Sequence, residues 1–161
     1  MQYSVNLTSV TSSPLLVVRR RATLPELSKV LPEACGVVWT FIRRAQVASH
    51  GRNVAVYLND KLDLMDLEVG VEVGVDVTAD GAAGGEVTPS ETPAGTVATT
   101  THFGPYTGLA GAHEAVRQWC RDRQYRLAGP NWEVYGHWSD DPAKLRTDVF
   151  YLLSTDAMPA R

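Results

Sequence analysis

Between residues 65 and 77 the chain alternates without a break. Met65, Leu67, Val69, Val71, Val73, Val75 and Val77 are apolar, and Asp66, Glu68, Gly70, Glu72, Gly74 and Asp76 stand between them. A period of two puts each set on its own face of an extended chain and cannot build a helical stripe. The segment is therefore a long strand with one buried face. Glycine inside a strand marks a bend, a bulge or the close approach of another group, so Gly70 and Gly74 predict one of these.

The rest of the chain reads as further strands around two helices. Residues 4–10 are extended, and Pro14 precedes the strand-length apolar run Leu15-Leu16-Val17-Val18. Arg19, Arg20 and Arg21 at its end read as a solvated edge rather than an anion site. Thr23-Leu24-Pro25-Glu26 has the spacing of a capping box with a proline in the first turn, which starts a helix. Its stripe is Leu27, Leu31, Ala34, Val38, Phe41, Ile42 and Ala45, and Pro32 predicts a kink or a restart. Residues 53–59 form the next strand, with Val54, Val56 and Leu58 on one face and Ala55 and Tyr57 on the other.

Beyond the alternating strand, residues 78–93 are rich in Gly, Pro, Thr and Ala and read as a mobile connection. Residues 94–103 return to β-type composition, and Gly104-Pro105-Tyr106 turns the chain. Thr107 is placed to cap a second helix whose stripe is Leu109, Ala112, Val116, Trp119 and Cys120. After a break at Gly129-Pro130, two strands over 132–138 and 147–153 flank a turn at Ser139-Asp140-Asp141-Pro142. Residues 155–161 read as a frayed tail.

Composition narrows the function classes. With 161 residues, 44% of them hydrophobic and 20% charged, the chain has enough apolar side chain for a core and too little charge for disorder. Fifteen Lys and Arg against 18 Asp and Glu give a formal charge of −3, which argues against a phosphate-binding surface and so against nucleic acid. Cys35 and Cys120 stand far apart with no Cys-x-x-Cys or Cys/His cluster, so neither a zinc site nor a disulfide framework is expected. No apolar run approaches the roughly 20 residues of a membrane helix, and the N-terminus lacks a signal-peptide layout. A soluble, cytoplasmic globular unit is the expectation.

The two halves share one order of elements: strand, helix, strand, strand. Each helix carries a tryptophan (Trp39, Trp119), and each following strand carries Val-Tyr (Val56-Tyr57, Val134-Tyr135). Two β-α-β-β units can share one core. The expected fold class is thus α+β, with duplicated β-α-β-β units related by a pseudo-twofold, an antiparallel sheet and two helices on one face. Repeat one covers about 1–78, the connection about 78–93 and repeat two about 93–154 of a single domain.

The second half, with His102-Phe103-Gly104-Pro105-Tyr106, then Ala112-His113 and Trp119 in the helix, then Gly129-Pro130-Asn131-Trp132-Glu133-Val134-Tyr135, resembles the gyrase-inhibitor-like (GyrI-like) small-molecule-binding family. That family includes the effector-binding domains of some AraC- and MerR-type regulators. The close motif match covers residues 93–153, and the first half agrees in its order of elements. The resemblance implies a ligand cleft near the pseudo-twofold axis, with Glu133 at the family position that meets cationic, aromatic ligands. It also implies a second possibility, since some members hydrolyse cyclopropane-bearing alkylating compounds at the same cleft.

In the strand from Trp132, the residues Trp132, Val134 and Trp138 share one face, and Glu133, Tyr135 and His137 share the other. The apolar set matches Val54, Val56 and Leu58, and both are expected to cover the helices. The other set pairs Glu133 and Tyr135 with Ala55 and Tyr57. A carboxylate between two tyrosines is a cage for a flat cation: a ring face attracts a cation by roughly 0.5–2 kcal/mol, and the carboxylate adds a stronger, less selective pull. Periodicity alone favours an exposed strand face whose Glu and Tyr meet water, and the resemblance is what favours the cage for Glu133 and Tyr135, and in part for Tyr57. Trp39, off its helix stripe, either lids the cleft or shields the sheet edge. Phe103 and His102 lie on opposite faces of one strand, so at most one of them lines the cleft.

His50, His102, His113 and His137 share no metal-ligand spacing, and no nucleophile-elbow, P-loop or dinucleotide fingerprint is present. Neither metal nor cofactor is expected. The leading expectation is a stand-alone binding protein for hydrophobic, aromatic, cationic small molecules, with Glu133, Tyr135, Tyr57, Ala55, Trp39, Phe103 and His137 as its ligand residues. The alternative is a hydrolase in which Glu133 is the general base and Tyr135 or Tyr57 orients the substrate or donates a proton. A third reading is a protein-interaction module of the gyrase-inhibitor kind. A partner helix-turn-helix is not expected within this chain, because both helices are needed for the core.

Overall fold

The computed structural model describes residues 2–59, 61, 63–77 and 85–155. In chain order these contain β1 (Asn6–Val10), β2 (Pro14–Ala22), α1 (Leu27–Arg44), β3 (His50–Tyr57), β4 (Met65–Val73), β5 (Thr88–Glu91), β6 (Gly95–Phe103), α2 (Leu109–Asp122), β7 (Leu127–Tyr135) and β8 (Arg146–Leu153). The architecture is α+β, and the strand pairs β1–β6, β2–β4, β2–β5, β3–β4, β6–β8 and β7–β8 are antiparallel. Two compact units divide it: one is Ser12–Thr92, and the other joins Met1–Thr11 to Pro93–Arg161. Each unit contains the strand, helix, strand, strand order predicted from the repeat.

In the Ser12–Thr92 unit the sheet order is β5-β2-β4-β3. Leu15 to Val18 are buried on both faces of β2, as a continuous apolar run in an interior strand should be. The predicted alternation in β4 buries Met65, Leu67, Val69 and Val71, and ends at Val73 rather than Val77. Gly70 pairs with Val17, and a Cβ there would lie 1.8 Å from the Leu16 carbonyl oxygen, so close backbone approach is the reason for this glycine. Helix α1 packs Ala34, Val38 and Ile42 onto the sheet. The Glu26 carboxylate accepts from both the Thr23 N–H and its hydroxyl, as the capping-box spacing predicts. Pro32 neither breaks nor restarts α1, which is continuous through it.

The arginines behave as side chains of one strand with acidic neighbours. They extend β2 along β4 past the end of β5. Arg21 meets Asp66 across the strands, and Arg20 ties Glu33 of α1 to Glu86. Part of the expected mobile connection is a strand: β5 pairs with Pro14–Val17, because the outer edge of β2 offers unpaired backbone groups for it to satisfy. Residues 78–84 of that connection lie outside the described residues, as do 156–161 of the expected tail.

The second unit has the sheet order β1-β6-β8-β7. Its core is Leu109, Ala112, Val116 and Cys120 of α2 against Ala98 of β6 and Val149, Tyr151 and Leu153 of β8. Thr107 does not cap α2. It lies inside a 3-10 turn, Tyr106–Gly108, that leads into the helix. Gly129-Pro130 does not break the chain either. Both residues are inside β7, where the register shifts between Leu127 and Asn131 and Gly129 takes φ +119. A bulge is where a strand tolerates proline, and the positive φ favours glycine.

The largest correction concerns β7. Glu133 pairs with Val149 and Tyr135 with Thr147, and directly opposed residues share a face. Val149 belongs to the core under α2, so Glu133 and Tyr135 face the helix. Trp132 takes the opposite face, where its ring stacks on Phe150 at 5.2 Å. The expected assignment of the apolar set to the helix side is therefore inverted. In β3, Asn53 meets Trp39 of α1, so Ala55 and Tyr57, at alternate positions from Asn53, face their own helix as well. The strand expected to reach Trp138 ends at Tyr135, and Trp138 is 73% exposed.

Candidate functional site

The polar face of β7 and the adjoining turn of α2 build one connected cluster. Glu133 is only 4% exposed. Ionised carboxylates are rarely buried to this degree unless donors hold them. One oxygen, Oε2, lies 2.6 Å from His113 Nε2 on α2, and Oε1 accepts from the Tyr135 hydroxyl. The other imidazole nitrogen, His113 Nδ1, lies 2.6 Å from the Tyr151 hydroxyl of β8, which in turn lies 2.9 Å from Arg117 Nη1.

Four residues separate His113 from Arg117 on α2, so both lie on one helical face. Tyr151 sits directly opposite Asn131 in the sheet, one step of the alternation from Glu133.

Elementary donor bookkeeping orders the bonds. A guanidinium has no acceptor, so Arg117 donates to the Tyr151 oxygen. His113 then bridges the Tyr151 hydroxyl and the Glu133 carboxylate through its two ring nitrogens. Burial pushes the Tyr151 hydroxyl up to about 12, against the opposing pull of Arg117, so it keeps its proton. The cluster runs Arg117, Tyr151, His113, Glu133, Tyr135, with the carboxylate accepting from Tyr135. Arg117 is also held by Glu114, whose carboxyl is lowered by its hydrogen bonds to Arg121 and Arg117.

Aromatic rings adjoin this carboxylate on its Tyr135 side. Tyr135 is half-buried, and its ring meets the edge of Tyr106 at 5.8 Å between centroids. Tyr106 itself is 44% exposed. Beside it, His102 is buried between the Tyr3 hydroxyl and the Pro105 carbonyl, at 2.7 Å and 2.9 Å. The carbonyl takes the Nε2 proton, leaving Nδ1 as acceptor from Tyr3. Thr147 lies opposite both His102 and Tyr135, fully buried, and its hydroxyl has no hydrogen-bond partner among the described residues. An open groove of about 790 Å³ between Tyr3, Val5 and the Gly111–Gln118 flank of α2 does not include Glu133.

The other predicted residues are placed as follows. Phe103 is 55% exposed on the face opposite His102, with the Arg146 guanidinium over its ring at 5.8 Å. His137 is exposed beyond the end of β7. Trp39, Ala55 and Tyr57 belong to the Ser12–Thr92 unit. There Trp39 Nε1 donates to Asn53 at 2.7 Å and its ring meets His50 edge-on, while Ala55 and Tyr57 are buried. Glu133 and Tyr135 are thus brought into direct contact. His113, Tyr151 and Arg117 were not anticipated as site residues. His113 and Arg117 follow the α2 stripe at its edge, and their shared face was the available signal. No group of His, Cys, Asp and Glu suited to a metal ion occurs among the described residues.

Comparison with known proteins agrees with the fold. The family model described as the GyrI-like small molecule binding domain matches residues 10–153. No curated protein matches the chain in sequence. The crystal structure of the EcmrR C-terminal domain is similar with a TM-score of 0.76 and 20% identity, over 96% of this chain and 99% of that one. In the EcmrR complex with DNA the similarity covers 57% of the EcmrR chain. The structure of SAV2435 bound to tetraphenylphosphonium gives a TM-score of 0.68 at 12% identity, over 96% and 95% of the two chains. A hydrolase from Listeria innocua gives 0.63 at 11% identity, over 93% and 91%. At these identities the structures speak for the fold.

Proposed function

The chain belongs to the GyrI-like small molecule binding domain family, and on that premise we propose that it binds hydrophobic, aromatic, cationic small molecules at Glu133. The observation that carries this reading is the buried Glu133 carboxylate, held in place by His113 and Tyr135, with the Tyr106 ring against that of Tyr135. A fixed negative charge in a poorly solvated place favours a cation that sheds its water easily, and aromatic rings beside it favour a flat or aryl-bearing one. The SAV2435 relative in complex with tetraphenylphosphonium supports the same class.

The test is calorimetric titration with tetraphenylphosphonium and with triphenylphosphine oxide as a neutral comparison. Glu133→Gln should cost the cation about 1.5–3 kcal/mol, the range for a charge-assisted contact, and the neutral compound less than about 0.5 kcal/mol. No saturable binding of the cation, or equal losses for both compounds, removes the reading.

A second reading, hydrolysis of cyclopropane-type alkylating compounds, is favoured by the contact of the Glu133 carboxylate with two proton-bearing groups, Tyr135 and His113. Glu133 would take a proton from water as the water oxygen bonds to the ring carbon and the ring C–C bond breaks. The released electron pair and a proton pass to the conjugated carbonyl, with Tyr135 positioned to donate. Mass detection of the water adduct after incubation decides this reading, and unchanged substrate at high protein concentration rejects it.

A further inference from the structure

We propose that the Thr147 hydroxyl is a second contact for the ligand, so that the site selects aromatic cations that also carry a hydroxyl group; this deepens the reading of Glu133 as the cation's carboxylate and rests on it. Thr147 is 0% exposed, and its hydroxyl has no hydrogen-bond partner among the described residues. Folded proteins pair nearly all of their buried polar atoms, because a bond left unmade away from water costs stability. Valine has the same shape and would avoid that cost. An orphaned hydroxyl in a core is thus a loss of stability at a place where a ligand can use the polar atom.

Strand register ties this hydroxyl to the carboxylate. Thr147 pairs directly with Tyr135, and Val149, two residues further along β8, pairs with Glu133. Thr147 and Glu133 are therefore diagonal neighbours on one face of the β7–β8 pair, roughly 7–8 Å apart along the backbone and nearer between side chains. An aryl group with its charge at one end and a polar substituent at the other spans that gap. On β6, His102 lies opposite Thr147 but has its two nitrogens engaged by Tyr3 and the Pro105 carbonyl. Glu133 and Thr147 are both buried, so a ligand that touches them displaces a ring. Of the adjoining pair Tyr135 and Tyr106, the second is the more exposed, at 44%, and it stands on a turn bounded by Gly104 and Gly108. A ligand hydroxyl suits Thr147 because it both donates and accepts, so a bond forms whichever way the threonine hydrogen turns. A methyl group in the same place leaves Thr147 unpaired.

The experiment is calorimetric titration of the whole chain with two probes, (4-hydroxyphenyl)triphenylphosphonium and (4-methylphenyl)triphenylphosphonium. They share charge and shape and differ in one hydroxyl, and at about pH 6 the phenol keeps its proton. The wild type should prefer the hydroxyl compound at least fivefold. In Thr147→Val that preference should vanish or reverse, because the phenol then loses its partner, whereas Thr147→Ser keeps the hydroxyl and should keep the preference. A wild type that binds both compounds equally overturns the proposal and leaves the binding reading standing. A preference that survives in Thr147→Val assigns the phenol to another partner and overturns it too. Failure of the wild type to bind either phosphonium removes the binding reading and this proposal together. Thr147→Ala, which also lacks the hydroxyl, takes the place of the valine variant if that one does not fold.

Discussion

Two buried threonines on the α2 face of one sheet should respond in opposite directions to the same substitution. Thr147 is 0% exposed, and its hydroxyl has no hydrogen-bond partner among the described residues. Thr100 is also buried, but its hydroxyl donates to the Ser4 carbonyl at 2.6 Å. Valine has the shape of threonine with a methyl in place of the hydroxyl. At Thr147 the change removes a polar group that lost water without compensation, a penalty of roughly 1–3 kcal/mol, so Thr147→Val should stabilise by about 1–2 kcal/mol. At Thr100 it deletes a made bond and strands a carbonyl, so Thr100→Val should destabilise by about 1–2 kcal/mol. For a chain of this length each kcal/mol moves the melting temperature by about 2–4 °C. Urea denaturation followed by circular dichroism, with calorimetric melting as a second probe, measures both. A destabilised Thr147→Val, or shifts of the same sign at both sites, would refute the reasoning, because the Thr147 hydroxyl would then be held by a group that matters.

Three further outcomes are expected. Gly70→Ala forces a Cβ against the Leu16 backbone oxygen and should cost more than about 3 kcal/mol or prevent folding, which the same urea titration reads; a loss below about 1 kcal/mol refutes close packing there. Burial pushes the Cys35 thiol up to about 11 and raises that of Cys120, so the reactive thiolate is scarce at pH 8. Iodoacetamide should label neither cysteine in the folded chain and both in urea, and rapid labelling of the folded chain counts against it. Hydrogen bonds from Arg20 lower the Glu33 carboxyl below its ordinary 4.5, and those from Arg121 and Arg117 do the same for Glu114. Depressed carboxyls stabilise the fold above the unfolded value and lose that contribution as pH falls through the folded one. The urea midpoint should therefore drop as pH falls below about 4.5, less steeply in Arg20→Gln, and superimposable curves would show that the Arg20 pairing contributes nothing.

What the sequence made legible is what periodicity controls. The alternation over β4 and the stripes of α1 and α2 define their elements because burying one face requires that spacing. Periodicity names two faces of a strand, however, without saying which one a helix covers. In β7 the apolar Trp132 and Val134 looked like the helix side, yet Glu133 and Tyr135 occupy it. The reason is polar satisfaction: His113 and Tyr135 make the burial of Glu133 tolerable, and His113 lies 20 residues away in the chain, itself held by Tyr151 of another strand. Local sequence carries no trace of such pairing. The same holds for β5, whose Thr-Pro-Ser-Glu composition suggests a loop and whose strand character comes from the free edge of β2. Gly129-Pro130 misleads for a related reason, since a bulge accommodates inside β7 what would otherwise end it.

The connectivity of the two units has a consequence for how the chain holds together. Strand β1 pairs with β6, with Val10 opposite Gly95, although the whole of Ser12–Thr92 lies between them in sequence. The ends of that intervening segment are tied to each other: Ser13 N–H donates to the Thr92 hydroxyl, and Thr92 N–H donates to the Ser13 carbonyl. Topologically, β1 and β6 form a hairpin whose turn is an entire folded unit. While that unit is folded its ends are pinned side by side, and the hairpin closes at little entropic cost. Once it melts, the same closure must span a long flexible loop, which penalises the pairing by a term growing with the logarithm of loop length. Each mutation that loosens Ser12–Thr92 is thereby transmitted to β1 through chain entropy, without a single side-chain contact having to change.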